Sequence, residues 1–89
     1  YPGSSYRLLT AQGPSAPGGA RSYLDEQKRL TRGFAVIAWP ATYGSSGVMT
    51  FVVNQQGIVF QRDLGEGTDA GAAAIQAYDP DTNWTPTGD

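Results

Sequence analysis

The sequence contains no cysteine and no histidine. Without cysteine there is no disulfide to hold a small fold. Without either residue, zinc-type sites and His-based acid–base or triad chemistry are excluded, which removes most hydrolase mechanisms. Charge is scarce too: six Lys and Arg and eight Asp and Glu make up 16% of the chain, for a net charge of −2. Ordinary soluble domains carry about 25%. Such a sparse, mixed and slightly acidic set does not fit a nucleic acid or an anionic membrane as partner. No run approaches the ~18 apolar residues of a membrane-spanning helix.

Glycine, at 12, and proline, at 6, are plentiful. A surface rich in Gly, Ser, Thr, Asn and Gln points to an extracellular or cell-surface setting, and Tyr1 in place of Met is expected to mark a processed end or a fragment boundary. The 89 residues are expected to form a single domain over 1–89. A chain this short buries only about 60–65% of its unfolded surface, for a stability of about 4–13 kcal/mol.

Within those bounds the chain reads mainly as strands. Tyr6 to Ala11 places Tyr6 and Leu8 on one face and Leu9 and Ala11 on the other. Residues 12–20 are dense in turn formers and read as an exposed loop. Residues 22–31, SYLDEQKRLT, fit two readings: a helix capped by Ser22, or a hairpin with a polar tip at Asp25 to Lys28. GFAVIAW, from Gly33 to Trp39, is apolar on both faces and predicts a central strand ended by Pro40. Val48 to Asn54 and Ile58 to Gln61 follow as a hairpin about Gln55-Gln56-Gly57. An alanine-rich helix is predicted over about 69–78, capped by Thr68 or Asp69 and stopped before Pro80. The polar tail 81–89 holds Trp84. The expected fold is therefore α+β: a four-stranded antiparallel sheet with one short C-terminal helix.

Candidate chemistry is thin. Asp79, Asp81 and Asn83 have the D-x-D-x-N opening of a calcium loop, but Trp84 stands where glycine belongs and no distal Glu follows. Helix-end and turn roles account for the same oxygens. Gly65-Glu66-Gly67 lacks the GK[ST] ending of a phosphate loop, and Asp25 with Glu26 reads as a solvated turn, not a catalytic dyad. Asn83-Trp84-Thr85 matches the N-glycan acceptor pattern. Trp39 and Tyr43, with the 41–47 loop, could form an aromatic binding platform, although such residues more often anchor cores and interfaces. No nucleophile–base pair, cofactor motif or metal set is visible.

The segment GFAVIAWPATYGSSGVMTFVVNQQGIVFQRDLGEGT, with upstream YRLLTAQGPSAPGG and downstream YDPDTNW, resembles the C-terminal part of a bacterial family of exported proteins classed as a domain of unknown function. The WPA-x-YG, GVMTF-x-VN and DPD-x-x-W elements carry the resemblance over nearly the whole chain. It departs at Asp25 to Arg32, where the family more usually has a shorter hydrophobic segment with a Gly. More distantly, the order of strands and turns is similar to the globular part of type IV pilins and type II secretion pseudopilins. There a long helix lies on one face of an antiparallel sheet and drives filament assembly.

That second likeness implies a non-enzymatic, pilin-like structural subunit that assembles with itself or with a helical partner chain. Its interface would draw on Val36, Ile37, Trp39, Tyr43, Phe51, Val52 and Trp84, because one short helix covers only one apolar face of such a sheet. The alternative is a monomeric envelope module that binds a ligand through Trp39, Tyr43 and the 41–47 loop.

Overall fold

The computed structural model describes residues 3–88, so the expectation about Tyr1 falls outside the described residues. In chain order the strands are β1 (Ser4–Leu9), β2 (Ala11–Gln12), β3 (Arg21–Ser22), β4 (Ala35–Pro40), β5 (Met49–Asn54) and β6 (Val59–Asp63). A 3-10 turn at Gly65–Gly67 leads into helix α1 (Thr68–Ala74), and β7 (Thr85–Pro86) closes the set. One antiparallel sheet runs β1-β4-β5-β6-β7, and β2 pairs with β3 in a small second ribbon. The class is α+β, as the alternating strands and the single alanine-rich segment suggest.

The sheet has five strands where four were expected. The fifth is β7, drawn in because Trp84 is buried beside it. Phe60 then pairs with Pro86 and Gln61 with Thr85, while the Thr87 amide donates to the Val59 carbonyl. A proline in this strand is tolerable because the strand lies at the sheet edge.

The helix is shorter than its composition suggests, ending at Ala74 and not near Tyr78. Two forces end it. The Arg7 guanidinium reaches across from β1 and donates to the carbonyls of Ala72 and Ile75, at 2.6 and 2.7 Å, supplying the C-terminal acceptors with a cation. Tyr78, buried, exchanges backbone hydrogen bonds with Ala11 and Gly13, which needs extended chain. The cap differs as well: Gly67 occupies the N-cap, Thr68 is already helical, and Asp69 sits in the first turn.

Residues 22–31 settle as the hairpin. Leu24 bridges Leu30, and the Asp25 carboxylate accepts hydrogen bonds from the amides of Gln27 and Arg29, the Thr31 hydroxyl and the Arg29 side chain. The Arg29 amide first, joined by the other donors, holds the Asp25 carboxyl below the usual range. A helix would leave this carboxylate without those partners. The Gln55-Gln56-Gly57 turn forms as expected, with Gly57 at φ 82°.

The core lies on one side of the sheet. Leu9, Ala35, Ile37 and Val52 face it from the strands, and Ala72, Tyr78, Trp84 and Tyr23 cover them. Gln12 is buried at the margin with every side-chain group used: its amide donates to the carbonyls of Pro17 and Gly19, and its Oε1 accepts from the Tyr23 hydroxyl. The 12–20 loop, expected to be fully exposed, is thereby stapled to the core at Gln12 and Ala16.

Thr50, wholly buried on β5, is the exception, because its Oγ1 has no hydrogen-bond partner among the described residues. Thr50→Val keeps the shape and removes an unpaired hydroxyl. It is expected to raise stability by about 1 kcal/mol, seen as a higher urea midpoint with unchanged slope.

Candidate interaction surface

Side chains alternate across each strand, so the register decides which residues share a face. The pairings align Leu8, Val36, Val53 and Val59 in one row across four strands, and Tyr6, Ala38, Phe51 and Gln61 in the next. Both rows point away from the core. Tyr6 is 54% exposed, Leu8 56% and Phe51 38%. Among the described strand residues of this face, charge enters only at the end of β6, with Asp63. At the β1 end of this face Tyr6, Ala38, Pro40, Val48, Met49 and Phe51 enclose an apolar groove of about 560 Å³.

The residues expected at an interface divide across the sheet. Val36 and Phe51 lie on the open face. Ile37 and Val52 are buried in the core and cannot form a surface: the alternation was legible, but not which of its two sets the helix covers. Trp39 packs partly buried against the core, with its Nε1 donating to Asp69 at 3.0 Å. Trp84 is also in the core, with the Arg62 guanidinium over its ring at 5.9 Å. Among the sheet-face residues that sequence reasoning left out of the interface, Tyr6 and Leu8 are the most exposed. Their alternation was visible, but only the β1–β4 register places them beside Val36 and Ala38.

Tyr43 does not line the groove. Its hydroxyl donates to Asp63 Oδ1 at 2.7 Å, the same oxygen that accepts the Gly65 amide. That bond to a carboxylate, then burial and the negative charges of Asp63 and Glu66, push the Tyr43 hydroxyl pKa up. Tyr43 lines a polar cleft of about 370 Å³ with Thr42, Glu66, Thr68 and Asp69. Trp39 does not line this cleft itself but reaches its wall through the hydrogen bond to Asp69.

The calcium-like run is taken up by turns. Asp79 Oδ1 accepts from the Ser15 amide and Asp81 Oδ1 from the Asn83 amide, and the described residues hold no group of three or more acidic, His or Cys side chains placed for a metal. Asn83 and Thr85 of the glycan pattern are exposed on either side of buried Trp84. Among the described residues no helix is long and apolar enough to cross a membrane.

A family model described as "Protein of unknown function (DUF2950)" matches residues 1–87. No curated protein and no solved structure matches the chain.

Proposed function

The chain belongs to the family of that description, and from this premise we propose that it is a non-enzymatic structural subunit, exported to the cell surface or beyond. In this reading its sheet packs its open face against a helix of a partner polypeptide, in a pilin-like arrangement. One observation carries the reading: two cross-strand rows of almost wholly apolar side chains lie on that face, with Tyr6, Leu8 and Phe51 exposed and the others half-buried. Contiguous apolar patches beyond a few hundred Å² mark interaction sites. Four strands spaced about 4.8 Å apart give a face about 14 Å wide, which suits a helix about 10–12 Å across.

The groove supports a second reading, a ligand-binding module, because its volume lies within the range of about 300–1,000 Å³ common to small-molecule sites. Electron microscopy of the native assembly separates the two. Helical density lying across Val36 and Phe51 is the expected result. A native particle that leaves this face bare overturns the proposal, and so does one that holds only a small molecule in the groove.

A further inference from the structure

The two edges of the sheet are built differently. β7 is two residues long and contains Pro86, a device that blocks further pairing. β1 is six residues long, has no proline, and pairs with β4 on one side only. Its single charge, Arg7, is turned inward onto the carbonyls of Ala72 and Ile75. Among the described residues, neither charge nor proline therefore guards the edge from Ser4 to Leu8; beyond it, at Thr10, the outward carbonyl is taken by the Tyr23 amide.

The ladder shows which groups face outward. The Ala41 amide donates to the Gly3 carbonyl at 2.7 Å, and the next pair, Ser4 with Pro40, cannot exchange bonds because proline has no N–H. Bonded pairs alternate along an antiparallel ladder, so Ser5, Arg7 and Leu9 bond to β4 and Ser4, Tyr6 and Leu8 turn their N–H and C=O groups away. Beyond the strand ladder, no backbone or side-chain hydrogen bond reaches those three residues' main-chain groups among the described residues.

We propose that this edge pairs with β1 of a second copy of the chain, antiparallel about a two-fold axis at Tyr6, joining two five-stranded sheets into one. The register that uses all three outward residues sets Tyr6 opposite its own counterpart and Leu8 opposite Ser4, and forms about six main-chain hydrogen bonds. It also sets Arg7 opposite Ser5, so no like charges meet. Because the β7 edge is blocked, the pairing closes at a dimer and does not propagate as an open fibre. The inference rests on the main-chain groups of the β1 edge and goes beyond the partner-helix reading, which rests on side chains of the open face; Tyr6 and Leu8 belong to both.

Sedimentation velocity of the full chain over a concentration series tests it. The wild type is expected to dimerise reversibly, and Tyr6→Lys, which sets two ammonium groups face to face at the axis, is expected to raise Kd at least about tenfold. Tyr6→Pro removes an outward N–H without touching the β4 ladder and is expected to do the same. Circular dichroism checks that both variants keep the fold. Phe51→Lys, on the open face, is expected to leave the dimer intact. A wild type that stays monomeric throughout, or a dimer lost in Phe51→Lys and kept in Tyr6→Lys, overturns the proposal, while the partner-helix reading is decided separately by the native assembly.

Discussion

Ile37→Asn is expected to abolish or nearly abolish folding, while Val36→Asn, one residue away, leaves the fold standing. Ile37 is fully buried between Arg7 of β1 and Val52 of β5. Shortening it leaves a cavity that costs about 2–5 kcal/mol, and an amide without partners adds about 1–3 kcal/mol. The whole domain has only about 4–13 kcal/mol to lose. Val36 sits in the open row beside Leu8 and Val53, where an asparagine amide keeps its water and the cost is about 1 kcal/mol. Far-UV circular dichroism with urea titration reads both variants. Equal losses would mean that both faces are sealed, contrary to the exposure of Tyr6, Leu8 and Phe51.

Gly33→Ala is expected to destabilise the protein by about 2–5 kcal/mol, lowering Tm by roughly 10 °C or more at this size. Gly33 lies at φ +134°, a backbone conformation that side chains disfavour. A Cβ there would stand 2.9 Å from Tyr23 Cδ1, 3.1 Å from its Cε1 and 3.2 Å from Gln55 Oε1. None of these can retreat cheaply. Tyr23 is buried with its hydroxyl held by Gln12, and Gln55 Oε1 accepts the Phe34 amide. An unchanged Tm would show that the ring and the backbone at 33 have room that this packing denies them.

How far the fold could be read in advance follows from the range of the forces involved. GFAVIAW announces β4 because apolar residues fall on both faces between Gly33 and Pro40, and NQQG announces its turn because Gly57 needs positive φ. These signals are local. The boundary of α1 is not local: an alanine run favours helix through Tyr78, and only Arg7, more than sixty positions earlier, and the pull of Ala11 and Gly13 on Tyr78 stop it at Ala74.

β7 escaped notice because two residues, one a proline, carry no periodicity. The paired faces of β4 and β5 were legible as two sets, Val36 with Phe51 and Ile37 with Val52. Which set is core depends on where α1 and Tyr78 dock, and the alternation is silent on that. Family membership was readable in WPA-x-YG, GVMTF-x-VN and DPD-x-x-W, because those strings are long enough to be specific. No residue string announced the unpaired edge of β1, since an edge is a property of the sheet.

The tie between Tyr78 and the Ala11–Gly13 segment also bears on the order in which the protein can be made. During synthesis β1, β4, β5 and β6 emerge from the ribosome before the residue that locks the core margin, and loop closure over that span is an entropic cost met only once Tyr78 is in place. Until Tyr78 arrives, a nascent chain displays its future core, its open face and the bare edge of β1 together. A chain in which the Tyr78 tie has not yet formed is thus the one most prone to stick to its neighbours.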